Sequence, residues 1–199
     1  MIIEENHILK EKLLEKLRGT EGVPKTFHVT ELVGCLRKPF YIRKGVPQEK
    51  SEKSVLAKKL GTAVHELLPF AIKEVVVEKD GVVGRIDAIW DRITELKTTS
   101  RTATLKKILQ DTNYLKQIKA YCYMRGEKEA DLVIFRVSTK TLECYTLKFS
   151  DEELQENWKQ ILENKKRLEY CLENSILPEK GSDICEGCGY EQYCRMVEK

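Results

Sequence analysis

Residues 84–97 read GRIDAIWDRITELK, two apolar β-type runs that each carry a single carboxylate, Asp87 and Glu95, with Lys97 two residues beyond the second. Oxygen-rich pairs of this kind suit Mg²⁺ or Mn²⁺, hard cations that polarise a phosphodiester and lower the pKa of a bound water. If both runs are strands, the period of two puts Glu95 and Lys97 on one face, with Asp87 across from them on the neighbouring strand and Leu96 turned into the core. An ammonium at Lys97 would then orient the attacking water or offset charge building on phosphorus. An ordinary salt-bridged hairpin has the same composition, so the motif needs context.

A second group of reactive residues lies at the far end. CEGCGYEQYC holds Cys185, Cys188 and Cys194 in a C-x2-C-x5-C pattern, and Cys35 in GCLRKPF is the candidate for a fourth ligand. A four-thiolate site suits Zn²⁺ or an iron–sulfur cluster. Cys122, Cys144 and Cys171 fall inside expected helices and a strand, where buried structural thiols are the usual case. Seven cysteines, an odd number without an export signal, speak against a disulfide framework.

The elements that must position these residues can be read from periodicity and turn signals. Helices are expected over 5–18 and 52–68, the latter with Leu56, Leu60, Val64 and Leu67/Leu68 at helical spacing, and a short helix carrying Cys35 is expected from an N-cap at Thr30, bent or restarted at Pro39. Three strands follow at 74–79, 82–90 and 93–99, joined by turns at Asp80-Gly81 and Asp91-Arg92, close enough to form an antiparallel meander. A helix over about 105–125, strands at 131–138 and 142–149 and a helix over 151–174 complete the pattern. The expected fold is α/β, a mixed central sheet with an antiparallel meander flanked by helices, followed by a cysteine-rich tail at 183–194. The 199 residues contain no repeat or linker, which predicts a single domain over 1–199 with its core at 52–174.

Net charge is only +3, but the cations are uneven. Residues 37–59 hold eight Lys or Arg against Glu49 and Glu52; residues 101–125 hold six against Asp111 alone. Both stretches flank the carboxylate region, as expected if a polyanion passes over it, and Lys106, Lys107, Lys116 and Lys119 are the candidate DNA contacts. A solvated helix surface would give the same count. The N-terminus is acidic where a secretory signal is basic, and no apolar run reaches the roughly 18 residues of a membrane span, so no membrane association and a cytoplasmic location are expected.

GTAVH (Gly61 to His65), GRID (ending at Asp87), ELK (Glu95 to Lys97) and QIKAY (Gln117 to Tyr121) follow one another in order. This order resembles the G-x-x-x-H, G-x-x-D, E-x-K and Q-x-x-x-Y motifs of the RecB-like branch of the PD-(D/E)XK nucleases, with Ile86 where the superfamily name has proline. The resemblance implies a restriction-endonuclease-like core. It implies metal ligation by His65, Asp87, Glu95 and the backbone carbonyl of Leu96, with catalytic roles for Lys97, Gln117 and Tyr121 beside the two carboxylates. One upstream cysteine and three C-terminal ones resemble the iron–sulfur clasp of such nucleases, which favours a 4Fe-4S cluster on Cys35, Cys185, Cys188 and Cys194, joining 27–45 to 183–194. Taken over residues 27–194, the combination is similar to the CRISPR-associated exonuclease Cas-four family. That likeness implies metal-dependent exonuclease action on single-stranded or frayed DNA ends, 5′ to 3′, and prespacer trimming with the Cas-one and Cas-two integrase. Alternatives are a RecB-like repair or mobile-element nuclease, and a non-catalytic DNA-binding scaffold.

Overall fold

The computed structural model describes residues 6–19, 22–70, 72–99, 112–181, 185 and 187–198. In chain order these form α1 (His7–Arg18), β1 (Phe27–His28), α2 (Val29–Leu32), α3 (Arg37–Arg43), α4 (Glu52–Leu67), β2 (Ile72–Lys79), β3 (Val82–Ile89), β4 (Ile93–Thr99), α5 (Thr112–Arg125), β5 (Glu129–Arg136), β6 (Thr141–Lys148), α6 (Asp151–Glu173) and α7 (Glu191–Val197). The expected helix over 105–125 is present from Thr112; its first part lies outside the described residues.

The sheet is mixed, as expected, and runs β2-β3-β4-β5-β6, with β1 alongside the start of β3. β2 and β3 are antiparallel through a turn at Asp80 and Gly81, whose φ values of 52° and 70° are those a two-residue hairpin turn requires. β4 and β5 pair in parallel from Ile93↔Ala130 to Thr99↔Arg136, which makes β4 a central strand; Ile93, Thr94, Glu95 and Leu96 are all buried. The meander is incomplete: β3 and β4 pair only at Ala88↔Thr94 and Ile89↔Ile93 and then part. β1 occupies the edge of β3 vacated in this way, pairing in parallel at Phe27↔Val82 and His28↔Val83.

Helices hold the sheet from both sides. α6 begins with a capping box in which Ser150 and Glu153 satisfy each other's backbone N–H groups. It buries Leu154, Trp158, Ile161, Leu168 and Cys171 on one stripe. The Trp158 indole donates to the Asp80 carboxylate at 2.9 Å, fixing α6 to the β2–β3 turn. α4 packs differently from its apolar spacing: Val55, Val64 and Leu68 are buried, whereas Leu56, Leu60 and Leu67 are 46%, 42% and 70% exposed. Only its last turn meets the sheet, where Val64 and Leu68 close over Leu96 and Val133.

The entry to the Cys35 segment also departs from expectation. The N-cap of α2 is His28, whose N–H is taken by the Glu31 side chain at 2.9 Å, and Thr30 lies inside the helix. Cys35 falls in the link between α2 and α3, and Pro39 sits in the first turn of α3, a position that needs no intrahelical N–H partner. Among the described residues no helix is long and apolar enough to cross a membrane.

Candidate active site

The parting of β3 and β4 creates the site. Past Ala88 the β4 backbone loses its β3 partner, and the Asp87 carboxylate accepts the Leu96 N–H at 2.9 Å in its place. On the other edge of β3 the β2 ladder skips the Glu74–Asp87 pair, and Glu74 lies at φ 57°, a strained conformation for a residue with a side chain. Asp87 therefore stands where β3 is unpaired on both sides. Glu74 was not anticipated from sequence, since nothing in EVVVEK marks a break.

Glu95 is fully buried on β4. One carboxylate oxygen accepts from the Lys97 ammonium at 2.5 Å, as the strand period predicts, while the other has no hydrogen-bond partner. An unpartnered buried carboxylate oxygen costs about 1–3 kcal/mol or more, so its retention requires a reason. Lys97 also reaches the Gln117 carbonyl at 3.5 Å, and the Gln117 amide donates to the Tyr121 hydroxyl at 3.0 Å. Gln117 and Tyr121, one helical turn apart on α5, thus join the strand residues as expected. Tyr121 can face the sheet because Gly84 leaves room: a Cβ there would lie 2.8 Å from the ring. Tyr114, missed in the sequence, lies on the same face of α5 and receives the Lys97 ammonium over its ring at 4.5 Å. Its place three residues before Gln117 was the available signal.

His65 on α4 approaches Asp87 with Nδ1 at 3.8 Å from Oδ1, too long for a hydrogen bond. Burial raises the Asp87 carboxyl above its ordinary range, against the pull of the Leu96 N–H, Lys97 and His65. Burial likewise pushes Glu95 up to about 7, with the Asp87 charge adding to it and Lys97 opposing it. For Lys97, burial favours the neutral amine, but the Glu95 and Asp87 carboxylates outweigh this and raise its pKa, so it stays an ammonium. Tyr121 is raised by burial and by both carboxylates, and remains protonated.

Among the described residues no three His, Cys, Asp or Glu side chains are already gathered around one point as a metal cage. The donor chemistry nevertheless fits a hard cation: two facing carboxylates, each disfavoured as an anion by burial, one with an unused oxygen.

Of the expected DNA contacts, Lys119 donates to Glu153 at 2.9 Å on the α6 side of α5, away from Lys97. Lys116 is on the same helix, and Lys106 and Lys107 lie outside the described residues. Of the expected cluster ligands, Cys35 lies against Gly181, where a Cβ would come within 3.0 Å of the Cys35 Cβ. Cys185 and Cys188 share a turn through the Cys188 N–H, and Cys194 is buried with Sγ 4.0 Å from the Tyr41 hydroxyl. Two residues unmarked in the sequence tie these ends together: Arg37 donates to the Pro178 carbonyl at 2.9 Å and pairs with Glu198, and Tyr41 stacks on Tyr190 at 5.2 Å.

Residues 68–195 match the sequence model of the PD-(D/E)XK nuclease superfamily, a span that contains Asp87, Glu95, Lys97, Gln117 and Tyr121. The chain belongs to that superfamily. No curated protein sequence matches it. Among solved structures it is similar to SSO0001 (20% identity, TM-score 0.58, 94% of each chain covered). It is also similar to the alkaline exonuclease LHK-Exo from Laribacter hongkongensis (12% identity, TM-score 0.52, 75% of this chain and 90% of that one). A third likeness is to a phage-related exonuclease from Haemophilus somnus 129PT (11% identity, TM-score 0.52, 76% of this chain and 96% of that one). At these identities the likenesses establish a shared fold.

Proposed function

We propose that this chain is a Mg²⁺- or Mn²⁺-dependent DNA nuclease that shortens single-stranded or frayed ends, an exonuclease of the Cas-four kind. The observation that carries the reading is the buried Glu95 carboxylate with one oxygen unused, between Asp87 and Lys97. Asp87 and Glu95 would hold the cation, with His65 and the Leu96 carbonyl completing its ligands. When bound, such an ion supplies Lewis-acid polarisation of the phosphate and a water of lowered pKa.

The chain's own groups do the rest. Lys97, kept cationic by two carboxylates, presents a positive charge where negative charge grows on the phosphoryl oxygens. Gln117 and the Tyr114 ring hold that ammonium in place, and the Tyr121 hydroxyl fixes the Gln117 amide. Tyr121 stays protonated, which makes it a positioning group and not a base. Support for DNA as substrate comes from the superfamily match and from the exonucleases that share the fold, one of them, LHK-Exo, solved in complex with dAMP.

The iron–sulfur clasp and the trimming of prespacers for a Cas-one and Cas-two integrase belong to the same reading. Support for the clasp comes from the approach of Cys35 to Gly181 and from Cys194 beside Tyr41 of α3, which are contacts between the two ends of the chain, and from the turn that Cys185 and Cys188 share. A 4Fe-4S cluster on Cys35, Cys185, Cys188 and Cys194 would act as a structural tie, because hydrolysis has no redox step. The first test is cleavage of an end-labelled single strand by anaerobically purified protein. Product with Mn²⁺ and none with EDTA is expected; absence of product with either metal would remove the nuclease reading.

A further inference from the structure

The last turns of α4 hold Val64 against the sheet and His65 toward Asp87, yet Leu56, Leu60, Ala63 and Leu67 stand in solvent. Those four are spaced by four, three and four residues, which at 3.6 residues per turn sets them in one stripe on the side of the helix away from Val64 and His65. That is the spacing of the a and d positions of a coiled-coil seam. α1 rests on the same helix and leaves the stripe open. Single exposed leucines are ordinary on a protein surface, whereas a contiguous row of them marks an interaction site.

The charges beside the stripe select what covers it. Lys59 and Glu66, both exposed, each precede a stripe residue and so border the same edge, at the g positions of the seam. A second α4 laid antiparallel, with the two-fold axis between Leu60 and Ala63, sets Leu56 against the partner's Leu67 and Leu60 against the partner's Ala63. The small Ala63 leaves room for the leucine it meets. In this register Lys59 falls opposite the partner's Glu66, and the symmetry makes the pair twice. A parallel pairing would place Lys59 beside the partner's Val64 instead, without an opposite charge.

From this self-complementarity we infer that two copies of this chain associate through antiparallel α4 helices, with Leu56, Leu60, Ala63 and Leu67 of each copy in the seam and two Lys59–Glu66 pairs fixing the register. Four side chains from each copy bury less than the roughly 1,200 Å² of a standard interface, so the dimer is a weak one. A Kd on the order of tens of micromolar is expected. His65 lies on the opposite side of α4, and each copy keeps its approach to Asp87. The inference does not rest on the nuclease reading, and its test involves no cleavage.

The test is sedimentation equilibrium of the full chain in EDTA from about 1 to about 200 µM, a range that brackets such a Kd. The mass is expected to rise from one chain toward two. L60E, at an exposed position, should hold it at one. K59E and E66K each turn two attractions into two repulsions and should each weaken the dimer about tenfold. K59E/E66K restores opposite charges and should restore the dimer. An equimolar mixture of the K59E and E66K chains should also dimerise about as well as the unaltered chain, because a mixed pair sets opposite charges together at both places. If L60E does not fold, the mixture decides alone, since its two variants change only exposed charges. One mass at every concentration, a dimer indifferent to L60E and to the charge reversals, or a mixture no tighter than its components would overturn the inference.

Discussion

Glu95 illustrates how a candidate site residue is held against its own preference. Its carboxyl is pushed from 4.5 to about 7 by burial, so the folded chain holds that proton more tightly than the unfolded one. Stability from this group is fully present below about pH 4.5 and is lost as pH rises through about 7, a loss on the order of 3 kcal/mol. Thermal melts in EDTA should show this decline, and Glu95→Gln, which removes the ionisation, should flatten it and melt higher than the unaltered chain at pH 8. Equal pH profiles for the two proteins would mean that Glu95 is ionised without cost. A divalent ion between Glu95 and Asp87 would offset the same penalty, so on the proposed reading added metal should raise stability at pH 8. The pairing of Glu95 with Lys97 and of Gln117 with Tyr121 was legible in sequence because strand and helix periods are fixed. Glu74 and Tyr114 were not, since a positive φ and a cation–π contact depend on how the elements dock.

At the level of elements, the site depends on two strands that separate and on a helix packed close enough to fill the gap. Gly84 permits the second of these. In Gly84→Ala the new Cβ must push the Tyr121 ring, and the Gln117–Tyr121 hydrogen bond with it. Overpacking of this sort costs about 1–3 kcal/mol. A fall in cleavage rate of about tenfold is expected beyond that, because Lys97 loses its orienting partner. Ser150→Ala provides the contrast: it removes the cap of α6 and should cost about 1 kcal/mol with no change in cleavage. Denaturant melts paired with rates on both variants would separate positioning from stability. Element types were mostly readable from periodicity, yet α4 was not fully so. Its leucines recur at helical spacing, but the helix meets the sheet by one turn only, so Leu56, Leu60 and Leu67 stay exposed. The two-residue β1 is too short for any periodic signal, and the early end of the β3–β4 ladder follows from tertiary pairing with β5 and β1.

Across the whole molecule, residues far apart in sequence close on one another. Arg37, Tyr41, Lys44 and Glu49 of the α3 region bond or stack with residues 172–198 through the Pro178 carbonyl, Tyr190, the Leu172 carbonyl and the Gly189 carbonyl. These contacts are made by side chains and backbone groups outside the four cysteines, so Cys35→Ala should lose iron and acid-labile sulfide while the sheet persists. Cys185→Ala, Cys188→Ala and Cys194→Ala should behave alike, because a closed site needs all its ligands, whereas Cys122→Ala, Cys144→Ala and Cys171→Ala should keep full metal content. Iron and zinc analysis of anaerobic preparations decides it; zinc in place of iron, or iron retained without Cys35, would refute the cluster. The measurement that bears most directly on the account is single-turnover cleavage of a labelled single strand in Mn²⁺ by Lys97→Ala, with DNA affinity measured beside it. A loss of about 10²–10³ in rate with affinity within a few-fold is the predicted result, since removing a preorganised charge that acts mainly in the transition state costs about that much. A rate close to that of the unaltered chain would contradict it, and the gap between β3 and β4 would then be no active site.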